Sequence, residues 1–394
     1  MSKVNGTKKK VCLVSWFQSH NYGTNLQAYA LIKALNNLNC ECILNDFVYK
    51  NIDFFNINWV WIKFCQKLNL KKKNILHRKL RKSVNSNFSD RLDRRENLYK
   101  KYMLDNYKFA GIKNKKGLLK LCEWADYFIS GSDQAWNPYY LNRCYLLDFV
   151  NDSTPKISYA ASFGVNALPA WSKSTYKDLL NRYKSISVRE KQGISIIKNV
   201  VDHEVEHVVD PTLLITRREW QNFALNAVIK ENVRNLKEGY ILCYFVGDKE
   251  QYWKHVDEIK NMTGLTLIVI PLCLETFFRK DQIYIEVGPY EFVWLIENAS
   301  IICTDSFHAV VFSLIFNKNF YVFKRFLDDN NESQNSRLYS LLEILGLEDY
   351  YVDPNSNCIS QIKGIEYTII NKKLEDMRKR SLMWLKNALD IDVN

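Results

Sequence analysis

The amino-acid sequence predicts an α/β protein with two domains, each built on a parallel β-sheet that carries helices on both faces. The length of 394 residues is more than a single hydrophobic core usually supports, which favours two domains. Hydrophobic residues make up 47% and charged residues 25% of the chain, an ordinary balance for a globular protein. Short apolar runs alternate with amphipathic stretches along the whole sequence, and this alternation is typical of parallel sheets.

In the first half, apolar runs bounded by polar or turn residues predict β-strands. These runs are "VCLVSWF", "CECILNDF", "ADYFISGS", "KISYAAS" and "SISVRE". The first run leads into the amphipathic stretch "NLQAYALIKALNNL", which predicts a helix.

The second half repeats the same alternation. The predicted strands are "GYILCYFVG", "LTLIVIPL", "QIYIEVG", "ASIICTDS" and "NFYVFKR". The predicted helices between them are "EQYWKHVDEIKNMTG", "PYEFVWLIENA" and "SFHAVVFSLIFN". Strands and helices that take turns in this way favour a second parallel sheet.

The turn signal Asp210-Pro211 marks the end of the first domain. The predicted units are a first domain, a linker, a second domain and a terminal helix, over residues 1–215, 216–235, 236–360 and 361–394. Because no strand follows the last helical pattern, we expect that helix to pack back on the first domain.

A strongly basic insert over about residues 50–120 lies within the first domain, on its expected acceptor or membrane side. Residues 1–120 hold 25 Lys and Arg against 7 Asp and Glu, whereas the whole chain has a net charge of +12. Residues 59–83 contain nine Lys and Arg, no acid, and apolar residues at roughly helical spacing. Such a segment can lie on an anionic membrane, or it can be the solvated face of a helix. No nucleic-acid-binding motif accompanies the charge, so we expect no nucleic acid partner.

The sequence gives no sign of export, of a membrane span or of a metal site. The first ten residues lack the apolar core of a secretory signal, and no apolar run reaches the roughly 18 residues that cross a bilayer. The ten cysteines lack CxxC spacing, which favours reduced thiols over a zinc or redox site. We therefore expect a cytoplasmic protein without metal or cofactor, at most peripheral on the inner face of the cytoplasmic membrane.

A candidate site for anion binding and proton transfer follows the predicted strand "ASIICTDS". Asp305 and Ser306 stand where this strand meets a helix, and either can be the N-cap. His308 falls in the first turn of that helix, where free N–H groups and the helix dipole favour anions. An imidazole there can bind an anion or move a proton. The structural alternative is a capped helix with a buried histidine.

Two arginines are further candidates for binding an anion. Arg189 ends "SISVRE" beside Glu190, where its planar fork can hold a carboxylate or phosphate, or can pair with its neighbour. Arg337 opens a predicted helix, where a cation opposes the helix dipole and needs an anionic partner, unless it lies at the surface.

The segment "FISGSDQAWNP" brings Ser132, Asp133 and Trp136 to the end of another predicted strand. A carboxylate beside an indole suits a sugar, and Asp133 can accept the proton of a sugar hydroxyl. The alternative is an aspartate that stabilises a turn. Asp133 and Asp305 hold matching positions in two similar phrases, so two strand ends that face each other across a cleft would form one site.

The stretch "SWFQSHNYGTNLQAYAL" connects the first predicted strand to a helix, at the edge where α/β sheets bind ligands. Gly23 would let the backbone approach a ligand closely, and Tyr22 would stack on a sugar. Side chains near the helix start offer further hydrogen bonds: Asn21, Asn25, Gln27 and His20. We expect this loop to form a wall of the cleft on the acceptor side.

Six phrases together resemble the polysaccharide pyruvyl transferase family, in the family's order. They are "NYGTNLQAYAL", "YFISGSDQAWNP", "SVREKQG", "VVDPTLL", "TDSFHAVVFSL" and "SRLYSLLEILGL". The resemblance implies a GT-B-like fold, with two Rossmann-like domains facing each other across a cleft. It also implies transfer of pyruvate from phosphoenolpyruvate to a sugar as a cyclic ketal. The acceptor would be a lipid-linked or polymeric bacterial surface glycan, such as a capsule or exopolysaccharide.

Carried over residue by residue, the resemblance implies that His308 is a catalytic or donor-binding histidine and that Arg189 lies in the cleft. Members of the family often show an arginine before this histidine in an "RxH" phrase. Here Ser306 takes that place, so another cation such as Arg337 or Lys324 would have to serve. We hypothesise that His308 is the general acid or a phosphate ligand and Asp133 the hydroxyl base, while Arg189 and Arg337 clamp the donor.

Two other functions fit the same features. A GT-B glycosyltransferase would share the fold and the cleft but would release a nucleoside diphosphate instead of phosphate. A non-catalytic component of a glycan assembly complex would use residues 59–83 as its membrane anchor.

Overall fold

The computed structural model describes the chain in ten stretches. They cover residues 8–17, 21–47, 86–236, 238–247, 249–272, 282–325, 335–353, 355, 359 and 361–392. The basic segment 59–83 and His20 lie outside these residues, so the predictions made for them stay predictions.

The first half of the described chain forms a parallel sheet and the helices around it. Its elements are β1 Lys10–Val14, α1 Tyr22–Asn37, β2 Glu41–Leu44, α2 Ser86–Asn106, α3 Lys115–Trp124, β3 Tyr127–Ser130, β4 Lys156–Ala161, α4 Lys173–Leu180, β5 Ser185–Val188, α5 Lys191–Lys198 and β6 Val205–His207. The strand order is β2-β1-β3-β4-β5-β6, and all neighbours are parallel.

The second half forms another parallel sheet. Two helices, α6 Arg217–Ala224 and α7 Glu231–Arg234, precede it. The further elements are β7 Tyr240–Tyr244, α8 Gln251–Thr263, β8 Thr266–Val269, β9 Gln282–Ile283, α9 Pro289–Asn298, β10 Ile301–Thr304, α10 Phe307–Ile315, β11 Asn319–Phe323, α11 Asn335–Leu345, β12 Tyr351–Val352 and α12 Tyr367–Ala388. The strand order is β12-β11-β10-β7-β8-β9, again parallel throughout.

The predicted α/β class with two parallel sheets is confirmed. Each of the ten apolar runs contains a strand, because a strand buried on both faces reads as a continuous apolar run. The strands β6 and β12 were not predicted, since three and two residues are too short to give a pattern.

Strand order decides where the two domains can bind a ligand. Between β1 and β3, and again between β7 and β10, the order of the sheet changes direction, and the loops that leave these strands diverge. The crevice outside such a switch point is the usual ligand site of an open α/β sheet. The loops after β1 and β3 and those after β7 and β10 should therefore hold the functional residues.

An aromatic core joins the two domains. Tyr22, at the start of α1, stacks on Phe292 of α9, with ring centroids 4.5 Å apart and planes 8° from parallel. The helix α2, which belongs to the basic insert, also bridges them. Its Tyr102 donates to the carbonyl oxygen of Asn25 in α1 at 3.3 Å, while its Arg91 forms an ion pair with Glu286 of the second domain at 2.9 Å.

The terminal helix α12 packs on the first domain, as the sequence predicted. Arg378 donates to the carbonyl oxygen of Leu213 at 2.7 Å, and the Ser381 hydroxyl accepts from the amide of Val209 at 3.0 Å. The segment predicted as a linker contains α6, which packs on α9 through Phe223 and Tyr290. Among the described helices, each is too short or too polar to cross a membrane.

Candidate active site

The two switch points bring five polar side chains together. Gly23 and Thr24 open α1, directly after the loop that leaves β1. Asp133 follows β3, Arg189 follows β5, and His308 stands in the first turn of α10. Arg337 reaches the same place from the first turn of α11. We call Asp133, Arg189, Asp210, His308 and Arg337 the central cluster.

Arg189 is the hub of the central cluster. Its Nη1 lies 2.8 Å from Oδ2 of Asp210, and its Nη2 lies 3.4 Å from Oδ1 of Asp133. Its Nε is 3.6 Å from Oε1 of Glu190, whose carboxylate also accepts from the hydroxyl of Ser162. Burial opposes the charge on Arg189, but the three carboxylates outweigh it and raise its pKa. The guanidinium is therefore fixed in place and permanently charged.

Asp133 is held in a strained backbone conformation by polar contacts. Its φ of 64° lies in the left-handed region, which is unfavourable for a residue with a side chain. Its Oδ2 accepts from the Thr24 hydroxyl at 2.7 Å, and its Oδ1 lies 3.8 Å from Nη1 of Arg337. Burial alone would raise the pKa of Asp133, but Arg189, His308 and Arg337 lower it below its ordinary value. The carboxylate is thus ionised and only weakly basic.

His308 lies between the two domains. Its Nε2 is 3.4 Å from Oδ2 of Asp210. The other oxygen of that carboxylate, Oδ1, accepts from the amide and the hydroxyl of Thr212. The edge of its ring that carries Nδ1 lies against Gly23, where a side chain would leave no room for it. Burial tends to raise the pKa of Asp210, yet His308, Arg189 and Thr212 hold it far below its usual range. A permanently ionised carboxylate therefore faces the imidazole.

Phe307 lies near both buried guanidiniums. Its ring centroid lies 4.7 Å from the guanidinium carbon of Arg189 and 5.8 Å from that of Arg337, so both cations face an aromatic ring. Burial, followed by repulsion from Arg189, lowers the pKa of Arg337 to about 10. An anion placed next to Arg337 would relieve both effects. Arg325, just after β11, is close enough to add to the repulsion.

The central cluster is closed in this structure. Asp133, Arg189, His308 and Arg337 are each less than a tenth exposed. A cavity of about 30 Å³ beside Phe307 and Arg337 has room for about two water molecules. A ligand of several heavy atoms therefore needs a movement of loops or domains to enter.

Asp305 and Ser306 serve the backbone around the cluster. The Asp305 carboxylate accepts from the amides of Val246 and Gly247, at 2.6 and 2.7 Å, and so ties the turn after β7 to α10. Ser306 occupies the N-cap position of α10, as one of the two predicted options, but its side chain makes no capping hydrogen bond. Each carboxylate oxygen of Asp305 thus accepts from a backbone amide, and its predicted role in substrate binding stays a prediction.

Three predicted substrate-binding residues are buried in the core instead. Trp136 is fully buried, and its Nε1 donates to the Ser130 hydroxyl at 2.9 Å. Tyr22 is fully buried in the domain interface, where its hydroxyl donates to the carbonyl oxygen of Val287 at 3.0 Å. Gln27 is likewise buried, and its amide nitrogen donates to the carbonyl oxygen of Trp16 at 2.9 Å. None of the three presents a surface to a ligand in this structure.

The remaining predicted residues lie around the start of α1 and after β3. The Asn21 side chain caps α1 by accepting from the amide of Gly23 at 3.0 Å. Asn25 is buried in the next turn, where its amide nitrogen donates to the carbonyl oxygen of Asn21 at 2.9 Å. Ser132 is buried beside Asp133, and its hydroxyl makes no hydrogen bond within the described part of the chain. Of the loop residues, Gly23 alone lies against His308.

Sequence reasoning missed several members of the site. Asp210 was assigned to a turn, because Asp-Pro is a common turn signal, and it does accept from the amide of Thr212. Its second oxygen, however, holds Arg189 and faces His308. Thr24 and Phe307 were overlooked because a hydroxyl and an aromatic ring inside a helix carry no signal of their own. Both flank residues that were predicted, Gly23 and His308.

Metal binding has no evident place in the described residues. They contain no group of three His, Cys, Asp or Glu side chains suited to hold a metal ion. The carboxylates of the central cluster are instead engaged by guanidinium and hydroxyl groups.

Two solved structures match this chain over nearly its whole length. UDP-GlcNAc 2-epimerase from Neisseria meningitidis bound to UDP-GlcNAc matches with a TM-score of 0.50 and 10% identity, over 96% of this chain and 100% of that chain. The glycosyltransferase SnogD from Streptomyces nogalater matches with a TM-score of 0.47 and 10% identity, over 97% and 98%. At such low identity the likeness to the epimerase shows the fold alone, which is GT-B-like. A comparison with curated protein sequences finds no match.

The family model for polysaccharide pyruvyl transferase matches residues 21–325. The match begins at the N-cap of α1 and ends just after β11, so it includes β7 and β10 of the second switch point and β3, but not β1, of the first. It contains Asp133, Arg189, Asp210 and His308, whereas Arg337 lies beyond it. Because the match spans well over half of the sequence, the chain belongs to the polysaccharide pyruvyl transferase family.

Proposed function

We propose that this transferase takes its pyruvyl group from phosphoenolpyruvate and joins it as a cyclic ketal to two hydroxyls of a bacterial surface glycan. The observation that carries the proposal is that two buried guanidiniums, Arg189 and Arg337, both lie near the ring of Phe307, which contacts His308. A small donor with a carboxylate and a phosphate needs two such cations and a group that moves a proton.

The donor would bind at Arg337. Arg189 already has three carboxylates around it, so its charge is largely compensated. Arg337 shares one of these carboxylates at 3.8 Å, and burial together with repulsion from Arg189 lowers its pKa. An anionic group of phosphoenolpyruvate beside Arg337 would oppose both effects. The amides at the start of α10 offer a second place for one of its anionic groups.

The reaction is an addition followed by a displacement. One sugar hydroxyl adds its oxygen to C2 of phosphoenolpyruvate and gives up its proton, while C3 gains a proton and becomes a methyl group. The bond from C2 to the phosphate oxygen then breaks, and inorganic phosphate leaves with the bonding electrons. The second hydroxyl attacks the resulting cationic C2, loses its proton and closes the ketal. Atoms and charge balance as phosphoenolpyruvate plus diol giving ketal plus phosphate.

The structure favours His308 as the residue that moves protons. Asp210 fixes its orientation and keeps a negative charge beside the ring, as a carboxylate does behind a catalytic histidine. Asp133 was predicted to be the hydroxyl base. It fits better as a positioning residue, because its carboxylate is stabilised as an anion by Arg189 and Arg337 and is a poor proton acceptor.

The acceptor is a saccharide by family membership, and we extend the proposal to a saccharide linked to a lipid. That extension is supported by the resemblance described above and by the basic composition of residues 59–83. It would place the reaction at the inner face of the membrane, with the segment as a peripheral contact.

The test is turnover of phosphoenolpyruvate by the purified protein with a panel of soluble and lipid-linked saccharides. Release of inorganic phosphate and a gain of one pyruvyl group in the acceptor mass would support the proposal, whereas release of a nucleoside diphosphate from a sugar nucleotide would point to a glycosyltransferase. His308→Ala should lower kcat by about 10²- to 10⁴-fold, the usual contribution of an acid–base residue. His203→Ala, outside the central cluster, is the matched control. Near-normal turnover by a folded His308→Ala protein would remove His308 from the mechanism.

A further inference from the structure

Arg95 is a buried cation whose charge is balanced by no acidic residue within the described part of the chain. It lies in α2 and is 8% exposed. Its Nη1 donates to the carbonyl oxygen of Pro271 at 3.2 Å, and its guanidinium carbon lies 5.5 Å from the ring centroid of Tyr22. Its Nε makes no hydrogen bond. Among the residues that the structure describes, no carboxylate comes within ion-pairing distance of it.

Its neighbours on the same helix behave differently. Arg91, one turn earlier, pairs with Glu286 at 2.9 Å, and Arg94 pairs with the same carboxylate at 3.3 Å. An isolated charge taken out of water is strongly unfavourable unless a counter-charge accompanies it. Structural packing therefore explains Arg91 and Arg94, whereas it leaves the charge on Arg95 unexplained.

A second buried donor without a partner lies near Arg95. Tyr244, the last residue of β7, is 1% exposed, and its hydroxyl makes no hydrogen bond to any residue that the structure describes. Its ring contacts that of Tyr22, with centroids 5.5 Å apart, so Tyr22 touches both residues. Burial raises the pKa of Tyr244 and Arg95 partly offsets this rise, which places the guanidinium within electrostatic reach of the hydroxyl. A neutral hydroxyl and a guanidinium are both hydrogen-bond donors.

Arg95 itself lies away from the central cluster. It donates to the carbonyl oxygen of Pro271, which follows β8, and β8 lies two places in the strand order from β10, which leads to His308. Neighbouring strands are about 4.8 Å apart, so the carbonyl that Arg95 contacts is roughly 10 Å from the end of β10, while Tyr244 ends β7, between the two. A molecule as small as phosphoenolpyruvate cannot occupy both places, so an anion at Arg95 has to belong to something else.

We propose that Arg95 and Tyr244 form a subsite for an anionic group of the acceptor saccharide, one that lies away from the hydroxyls receiving pyruvate. This inference rests on the proposed function, because it assigns a second substrate to the same cleft. A phosphate at the reducing end and the carboxylate of a uronic acid share the required chemistry. Either would accept from Nε of Arg95 and from the Tyr244 hydroxyl.

The test compares one oligosaccharide in three forms: with a reducing-end phosphate, with a uronate residue, and as a neutral methyl glycoside. In the wild type, kcat/KM for one anionic form should exceed that for the neutral form. Arg95→Met should lower this ratio by about 10- to 100-fold, the effect of losing a charged hydrogen bond. If Arg95→Met removes the advantage of the phosphorylated oligosaccharide, the anion is a phosphate, and if it removes that of the uronate form, the anion is a carboxylate. A ratio that Arg95→Met leaves unchanged for both anionic forms would overturn the inference.

Two further variants keep the test informative. Arg91→Met removes a cation from the same helix but should leave the ratio unchanged, because its partner is Glu286. Tyr244→Phe removes a hydroxyl that has no partner, so it should not destabilise the fold, and it should lower the ratio severalfold. If Arg95→Met does not fold, an unchanged ratio in Tyr244→Phe would overturn the inference by itself.

Anion binding at this subsite can be measured without turnover. Inorganic pyrophosphate should raise the Tm of the wild-type protein, since a ligand that binds only the folded state stabilises it. The rise should be lost in Arg95→Met, while phosphoenolpyruvate should still stabilise that variant. A protein that does not turn over phosphoenolpyruvate but shows this Arg95-dependent shift would contradict the proposed reaction and leave the subsite standing. A wild type that neither pyrophosphate nor a uronate stabilises would contradict the subsite.

Discussion

A methyl group at position 23 would test whether the first domain positions His308. Gly23 lies in the first turn of α1 and has no positive φ, so alanine can adopt its backbone conformation. On helix propensity alone, Gly23→Ala should stabilise the protein by up to about 1 kcal/mol. An alanine Cβ, however, would lie 2.0 Å from Nδ1, 2.2 Å from Cγ and 2.7 Å from Cβ of His308.

The size of the clash decides the outcome. Comfortable contacts between such atoms begin near about 3.5 Å, so the ring has to withdraw by about 1.5 Å and the His308 Cβ by nearly 1 Å. Rotating the His308 side chain moves the ring but not its Cβ, so α1 and α10 have to separate. Overpacking of this kind costs about 1–3 kcal/mol, which exceeds the gain in propensity. A displacement of about 1 Å at a catalytic group can lower the rate about 100-fold.

The assay is phosphate release from phosphoenolpyruvate, with Tm measured on the same samples. We expect Gly23→Ala to lower kcat about 100-fold or more and Tm by a few degrees. Gly364→Ala is the matched control, because a Cβ there meets no atom within 4 Å. Turnover within twofold of the wild type at an unchanged Tm would refute the view that Gly23 holds His308 in place.

Two further predictions concern stability. Burial would raise the pKa of Glu286, but hydrogen bonds from Arg91 and Lys230 lower it to about 2. Glu286 therefore contributes about 1–3 kcal/mol to the free energy of unfolding, once screening of the half-exposed Lys230 is allowed for. This contribution is present above about pH 4.5 and is lost as the pH falls toward 2. Urea unfolding of Glu286→Gln should lack this acid dependence; an unaltered pH profile would count against the ion pairs. Trp136→Phe should lose about 1–2 kcal/mol of stability with the hydrogen bond to Ser130, at an unchanged acceptor KM. If Trp136→Phe instead raised the KM for the acceptor without loss of stability, the predicted contact between Trp136 and the sugar would be supported.

The fold could be predicted from the sequence because a parallel strand buried on both faces is an unbroken apolar run. "SISVRE" and "ASIICTDS" are examples, and β5 and β10 lie within them. The charged residues that follow such runs could also be placed, since parallel strands all end at the same edge. Asp133 and Arg189, which follow two strands of the first sheet, come together for that reason.

The orientation of single side chains could not be predicted in the same way. Trp136 and Tyr22 each carry a polar group on an aromatic ring, and the sequence does not tell whether that group meets a ligand or a backbone carbonyl. Trp136 donates to the buried hydroxyl of Ser130. Tyr22 donates to the carbonyl oxygen of Val287, which lies 265 positions later in the chain. Asp305 was placed correctly at the start of α10, but its carboxylate turns to the loop after β7, a contact that only the second sheet creates.

The arginine that the resemblance leads one to expect before His308 illustrates how a site can keep its charge while its sequence changes. Position 306 is a serine, so α10 contributes no guanidinium of its own. Arg337, from α11, brings one to within 5.8 Å of the ring of Phe307, the residue between Ser306 and His308. A cation is therefore present next to the start of α10, although it comes from a helix about thirty positions later. What the proposed donor requires is positive charge at that point in space, and two different helices can supply it. If the proposal holds, the donor site depends on the packing of α11 against the second sheet.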